Sequence, residues 1–156
     1  MDYQLLNEEL KLPVPDGFHV MDEAELGKYK TLQAAPSWCI TDPERHIIVS
    51  VAWKKSGLGA LLLTSAEVAK KMEARLRKPM SPYGYRLQGF ITETVGGVEA
   101  EGFRYSYTAQ NTEMTGESFS LKKGKTFYYI HCYYRTELKD ESSAVLRSMF
   151  QGGEWV

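Results

Sequence analysis

The stretch that decides the fold is KTFYYIHCYYRTELKDESSAVLRSMF, from Lys125 to Phe150. Its first part, Thr126 to Arg135, is rich in aromatic residues and predicts a long strand. Both faces of this strand are apolar enough to be covered, which favours helices on the two sides of a sheet. Its second part predicts an amphipathic helix with Asp140 as N-cap. The apolar stripe of that helix consists of Val145, Leu146, Met149 and Phe150.

Upstream of this stretch, apolar residues repeat with the period of two that is typical of strands. In Arg45 to Lys54, for example, Ile47, Val49, Val51 and Trp53 alternate with other residues. Gly96-Gly97 and Lys123-Gly124 predict tight hairpin turns, and Asn111 to Gly116 predicts a polar loop. Further strands are expected over Ser37–Thr41, Leu87–Val95, Val98–Gln110 and Glu117–Lys122.

Two capping boxes predict where helices begin. Asp22 with Glu25 opens a short helix that reaches about Tyr29, and Thr64 with Glu67 opens the main helix. The outer face of the main helix carries more basic than acidic residues. Such a face is either simply solvated, with cations near the negative end of the helix dipole, or a docking patch for an acidic partner.

Length, charge and hydropathy exclude several classes of protein. The chain of 156 residues fits one domain, 1–156, and its net charge of −1 gives no basic excess for nucleic acid. Its start shows no secretory signal, and its apolar runs are too short to span a bilayer. We therefore expect a cytoplasmic protein with neither a membrane nor a nucleic acid as partner.

The residues that carry chemistry in other proteins form no recognisable constellation here. His19, His46 and His131 lack metal-ligand spacing, and Cys39 and Cys132 are too few for a cysteine zinc site. The two cysteines are either reduced and buried or bridged to each other. His131 and Cys132, as adjacent strand residues, point to opposite faces. The sequence thus predicts no enzyme, no catalytic residue, no metal and no cofactor.

The aromatic strands leave two kinds of binding site open. The first is a recognition surface made by exposed tyrosines and one arginine: Tyr83, Tyr85, Arg104, Tyr128 and Tyr134. The second is a pocket between sheet and helix, lined by Trp53, Phe103, Tyr105 and Phe127.

The order of these features resembles a known family, the PsbP-like (Mog/PsbP-like) superfamily. The segments that carry the resemblance are Leu12-Pro13-Val14-Pro15-Asp16-Gly17-Phe18, the Thr41-Asp42-Pro43-Glu44 turn, Val95-Gly96-Gly97-Val98-Glu99-Ala100, Gly124 to Ile130 and Ser148-Met149-Phe150. The resemblance implies an α+β fold, an antiparallel sheet flanked by helices on both faces. Relatives of this kind are mostly binding or assembly proteins, including bacterial adaptors of secretion effectors. No catalytic residues carry over from them.

Two functions follow as hypotheses. The first is a non-enzymatic adaptor or chaperone that binds a protein partner, for instance a secretion effector, as a monomer or a homodimer. The alternative is a small-molecule or lipid-binding domain that uses the pocket between sheet and helix. An exposed apolar patch would support the first, and a filled sheet–helix interface would count against the second.

Overall fold

A seven-stranded antiparallel sheet forms the centre of the protein, with strand order β3-β4-β5-β9-β8-β7-β6. The computed structural model describes residues 2–28 and 38–156. The sheet strands are β3 (His19–Val20), β4 (Trp38–Asp42), β5 (Ile47–Lys55), β6 (Arg86–Val95), β7 (Val98–Ala109), β8 (Thr112–Lys123) and β9 (Thr126–Arg135). The predicted bounds of β9 are confirmed, whereas the predicted helix end at Tyr29 and strand start at Ser37 lie outside the described residues.

Helices cover both faces of this sheet, as the sequence predicts. The helices are α1 (Glu23–Lys28), α2 (Leu58–Leu61), α3 (Ser65–Met80) and α4 (Lys139–Gln151). Helix α3 packs on β7 and β8, and α4 packs on the opposite face beside β6 and β9. The fold is therefore α+β, an antiparallel sheet between helices.

The helix starts follow the predicted caps in two of three cases. The Thr64 hydroxyl accepts from the backbone N–H of Glu67, and the Glu67 side chain returns to the Thr64 backbone. Asp22 and Glu25 cap α1 in the same reciprocal way. The prediction for the last helix is wrong: its N-cap is Leu138, because a 3₁₀ turn over Thr136–Leu138 leads into α4 and places Asp140 in its first turn.

The main core lies between the sheet and α4 and includes alternate residues of β9. Tyr128, Ile130, Cys132 and Tyr134 are all buried there, together with Leu146, Met149 and Phe150 of α4. On the other face, the aromatic rings of Phe103 and Tyr105 pack against Leu76 of α3. The central strand is thus covered on both sides.

Both chain ends meet in a second, three-stranded sheet that the sequence did not predict. Its strands are β1 (Asp2–Leu6), β2 (Leu10–Val14) and β10 (Glu154–Trp155), in the order β1-β2-β10. The Trp155 ring packs edge-on against Tyr128 at 5.3 Å, and its Nε1 donates to the Val95 carbonyl at 3.0 Å. These contacts tie the small sheet to the main core.

The predicted loop over Asn111 to Gly116 is in fact mostly strand. Gln110 and Asn111 both have positive φ angles, of 51° and 63°, and form a two-residue turn. Such a turn matches the twist of a hairpin and lets β8 begin at Thr112. The polar composition of 111–116 therefore led to the prediction of a loop, although this segment begins a strand whose later side chains are largely buried.

Candidate functional site

Strand β6 lies at one edge of the seven-stranded sheet and is the most exposed of its long strands. Among the described residues it pairs with β7 only, so one row of its backbone N–H and C=O groups faces away from these strands. The opposite edge is β3, which has only two residues. Long edges with free ladder groups are templates for pairing with another chain, and short edges are protected from it.

Three large apolar side chains are exposed beside this edge. Phe90 is 51% exposed, Tyr83 49% and Leu87 41%. Leu87 and Phe90 pair with Tyr105 and Phe103 across the ladder and so share the α3 face of the sheet. We call Tyr83, Leu87 and Phe90 the β6 patch.

The local sequence explains why these side chains are not covered. Pro82 sits in the 3₁₀ turn that follows α3, and Gly84 ends that turn with a φ of 71°, in the left-handed region that glycine adopts easily. The chain then enters β6, where a bulge between Leu87 and Gly89 shifts the register. From Gly89 to Val95 the ladder continues without interruption. Helix α3 packs on β7 and β8 and leaves Leu87 and Phe90 of the neighbouring β6 uncovered.

Two arginines near the β6 patch, each in a salt bridge with a glutamate, have exposed side chains. The side chain of Arg77 on α3 is 63% exposed and that of Arg86 at the start of β6 is 73% exposed. The distance from Arg86 to the Glu113 carboxylate is 3.6 Å between exposed groups, which contributes little binding energy. A complementary partner segment would therefore combine apolar with acidic side chains.

Glu73 links α3 to the segment before β6 through a hydrogen bond to its buried side chain. Although it belongs to a charged helix, its side chain is buried and accepts bonds from Arg77 Nε and from the Tyr85 hydroxyl at 2.8 Å. Burial alone would raise the pKa of Glu73, but the bonds from Arg77 and Tyr85 more than offset this and lower it. Tyr85 is thus half-buried and fixed to α3.

The structure separates the residues predicted as a recognition surface. Tyr83 belongs to the β6 patch and Tyr85 lies beside it, but Arg104 is on the opposite face of the sheet. Tyr128 and Tyr134 are fully buried in the main core, so the prediction that they are exposed is wrong. Their hydroxyls donate to Glu9 and Glu117, each at 2.6 Å, which satisfies the polar end of an otherwise buried ring.

The predicted pocket residues are also divided. Phe103, Tyr105 and Phe127 lie on the α3 face, whereas Trp53 pairs with Tyr128 and lies on the α4 face. The prediction put Trp53 on the wrong face. Trp53 is two residues after Val51 in β5, so it shares the face on which Val51 is buried in the main core. On the α3 face, ring centroids follow one another at 5.3 to 5.8 Å from Tyr85 through Tyr105 to Phe103 and Tyr107. Rings fill the space in which this pocket was predicted.

A second polar cluster lies on the α4 face, around Glu117. Its carboxylate accepts from Arg104 Nε at 3.0 Å and from the Tyr134 hydroxyl at 2.6 Å. Burial alone would lower the pKa of Arg104, but the Glu117 charge beside it raises that pKa. Burial and the same carboxylate raise the pKa of Tyr134. Glu117 is therefore a buried acceptor with two donors.

A cleft of about 220 Å³ opens next to this cluster, between α4 and β6 to β8. Ile91, Glu93, Arg104 and Arg147 are among its lining residues. Two arginines face two glutamates here, so the lining is close to neutral in charge. The Glu117 carboxylate already accepts two hydrogen bonds that join β8 to β7 and β9.

Histidine and cysteine are used as core residues. The His131 ring is buried, shares a hydrogen bond of 2.8 Å with Ser118 Oγ, and has its pKa lowered to about 4 by burial. Cys39 and Cys132 are free and buried, and their ladder positions put them on opposite faces of the sheet. Among the described residues, no three metal-binding side chains come together. Within the same residues, no helix is long and apolar enough to cross a bilayer.

Sequence reasoning missed Leu87 and Phe90, two of the three members of the β6 patch. Both fit an ordinary strand, and nothing in the sequence marks β6 as an edge. Gly89 was the available signal, because a glycine inside a strand pattern often marks a bulge, and a bulge is found next to Gly89.

Comparisons with known proteins support the fold. No family model matches the sequence, and no curated protein matches it. Solved structures do match, among them two that share most of their length with this chain. Cyanobacterial PsbP (CyanoP) from Synechocystis sp. PCC 6803 has a TM-score of 0.69 and 10% identity, over 99% of this chain and 92% of its own. LpqN of Mycobacterium tuberculosis, involved in cell envelope biogenesis, has a TM-score of 0.61 and 14% identity, over 94% and 83%.

At these identities the likeness concerns the fold and not the function. The antiparallel sheet with helices on both faces agrees with the expectation drawn from the sequence motifs. The chain therefore has the PsbP-like fold.

Proposed function

We propose that this protein is a non-enzymatic adaptor that binds an extended segment of a protein partner along strand β6. The observation that carries the proposal is the β6 patch beside an unpaired strand edge. Exposed apolar clusters of this kind on soluble domains commonly mark binding sites. Binding to a protein partner also requires no catalytic group.

Binding by strand addition uses two sets of contacts. The backbone of the partner would pair with the outward-facing ladder groups of alternate residues between Gly89 and Val95, which supplies affinity with little dependence on sequence. Alternate side chains of the partner would then meet Leu87 and Phe90 on the α3 face, which supplies selectivity. Arg77 and Arg86 favour acidic residues at the ends of the bound segment.

The polar clusters support an adaptor better than an enzyme. Glu73 and Glu117 each accept bonds from one arginine and one tyrosine, and His131 is bonded to Ser118. These groups are engaged in holding the sheet and helices together. The alternative of a ligand pocket between sheet and α3 finds no support, because aromatic rings occupy that interface.

A peptide selection tests the proposal. A phage library of random 12-residue peptides would be selected on the folded protein and counter-selected on the double variant Leu87→Ser/Phe90→Ser. We expect peptides with apolar residues at alternate positions and at least one acidic residue. Their affinity should fall by about tenfold or more in the double variant, the effect expected when anchor side chains are truncated.

The matched control is Leu62→Ser, which removes a more exposed leucine far from β6 in the sequence. This control should bind the selected peptides as the wild type does. Peptides that bind the wild type and the double variant equally would contradict the proposal, as would a selection that enriches no sequence pattern.

A further inference from the structure

One end of the large sheet collects lysines from two separate parts of the chain. Lys54 and Lys55 end β5, and Lys123 and Lys125 flank the turn between β8 and β9. Lys55 pairs with Thr126, and the Ser56 N–H donates to the Lys125 carbonyl at 2.8 Å, which places the two segments side by side. All four lysines are exposed. Neither 54–63 nor 121–126 contains an acidic residue.

Two leucines project into solvent at the same end. Leu58 is 87% exposed and Leu62 is 85% exposed, the largest values among the apolar residues described. Their segment is attached to the sheet, since Lys122 Nζ donates to the Leu63 carbonyl at 3.3 Å and Ser120 Oγ donates to the Ser65 carbonyl at 2.7 Å. The nearest acidic residue in that segment, Glu67, is engaged in capping α3.

We propose that this lysine–leucine end, made of Lys54, Lys55, Leu58, Leu62, Lys123 and Lys125, binds the surface of membranes that contain anionic lipids. Leucines with almost no intramolecular contact are costly in water and can enter the boundary between headgroups and acyl chains. Lysines around them would lie at the level of the headgroups. Near such a surface each lysine increases the affinity for the membrane about fivefold.

The chemistry favours a lipid surface over the other polyanions. Nucleic-acid sites of this type combine basic residues with aromatic stacking platforms or with arginines that contact bases. Here the exposed apolar residues, Leu58 and Leu62, are aliphatic, and the cations are lysines, which act as point charges. The Trp155 ring, 5.5 Å from Lys123 Nζ, is half-buried and packs on Tyr128. This inference departs from the expectation, drawn from composition, that no membrane is involved. The net charge of −1 conceals how strongly the fold gathers positive charge at one end.

The proposed membrane site is separate from the β6 patch. Leu87 and Phe90 lie in register, through Tyr105 and Phe103, with Gly116 and Ser118 of β8. Lys123 is at the far end of β8, so a partner seated on the β6 patch leaves the lysine–leucine end accessible. Each site can therefore be tested without disturbing the other.

Vesicle sedimentation tests this inference with three variants that keep the fold. The protein would be mixed with vesicles of phosphatidylcholine alone or of phosphatidylcholine and phosphatidylglycerol in equal parts. The variants are Leu58→Ser/Leu62→Ser, Lys123→Gln/Lys125→Gln, and a control, Leu5→Ser/Lys78→Gln, which changes exposed residues elsewhere. Circular dichroism and thermal melting would confirm that each variant is folded.

We expect binding to the anionic vesicles only, weakened by salt, and unchanged in the control. The partition coefficient for anionic vesicles should fall by about tenfold or more in each of the two test variants. One variant lacks two lysine charges, and the other lacks two leucine side chains that would insert into the bilayer surface. Equal binding to both vesicle types, or retention by either test variant, would overturn the proposal. So would lysine-dependent binding to a 20-base-pair DNA duplex without binding to vesicles, which would identify the site as one for nucleic acid.

Discussion

Strands β9 and β6 have the same length of ten residues but opposite surroundings. Strand β9 pairs with β5 and β8 and is covered on both faces, so its aromatic residues are part of the core. Within residues 2–28 and 38–156, strand β6 pairs on one side only and leaves Leu87 and Phe90 exposed. Similar strand-forming residues therefore serve stability in one strand and remain available for binding in the other.

The comparison also shows where charge is tolerated. The buried carboxylates of Glu73 and Glu117 each have an arginine and a tyrosine as donors, and they lie on opposite sides of the sheet. Near β6, Arg77 and Arg86 also have carboxylate partners, Glu73 and Glu113, but most of each arginine side chain extends into solvent. The buried carboxylates therefore stabilise the fold, whereas the exposed arginines near the edge strand can also contact a partner.

The largest expected effect is the loss of a core side chain from β9. Ile130→Ala removes a fully buried side chain and should lower the free energy of unfolding by about 2–5 kcal/mol. Phe90→Ala, on β6, should cost less than about 1 kcal/mol because half of that ring is already exposed. Urea denaturation measures both, and similar losses would contradict the contrast between the strands.

The second prediction concerns the pH dependence that β9 contributes through His131. Burial lowers the pKa of His131 from 6.5 to about 4, so between these values the unfolded chain binds a proton that the folded chain does not. Stability should therefore fall as the pH decreases from 6.5 to 4, by up to about 3 kcal/mol.

His131→Gln supplies the control for this prediction, because glutamine can bond to Ser118 but does not titrate. The difference in unfolding free energy between wild type and variant, measured by denaturation at several pH values, should shrink toward acid. Parallel pH profiles for the two proteins would show that His131 takes a proton as readily in the folded state as in the unfolded one.

The third prediction tests how tightly the aromatic layer is packed between β9 and β6. Gly116 has no room for a side chain, since a Cβ there would lie 2.2 Å from Cζ of Tyr105. Gly116→Ala should displace that ring and destabilise the protein by about 1–3 kcal/mol. Gly124→Ala is a poor control because of its φ of 61°, so Ala74→Gly on the exposed side of α3 serves instead. Ala74→Gly should lower the free energy of unfolding by about 1 kcal/mol.

The smallest expected effect on stability is that of the variant used to test binding. Leu87→Ser/Phe90→Ser should change the unfolding midpoint little, by about 0.5 kcal/mol for each exposed site. The same variant should lose the selected peptides. A large loss of stability would mean that these residues support the fold, and the binding result would then need a milder substitution such as Phe90→Leu.

The elements that the sequence predicts well are those with strong local signals. The strand Thr126–Arg135 and the Thr64–Glu67 capping box depend on neighbouring residues, and both are found where expected. The overall fold also follows, because the order of motifs was sufficient to indicate it. Local chemistry and motif order do not depend on which strands become neighbours.

The candidate sites were harder to predict because they depend on strand order and on facing. Nothing in the sequence of β6 shows that it lacks a second neighbour, and so Leu87 and Phe90 passed as ordinary strand residues. Tyr128 and Tyr134 were expected at a surface, but α4 and β10 cover the face on which they lie. The lysine–leucine end joins residues about 70 positions apart in sequence, which only the pairing of β5 with β9 brings together.

Amide hydrogen exchange with a selected peptide tests the central claim most directly. If the partner adds a strand to β6, alternate backbone amides between Gly89 and Val95 should exchange more slowly in the complex, and amides of β9 should not change. Protection confined to α3, α4 or the lysine–leucine end, with β6 unaffected, would contradict binding at the edge strand.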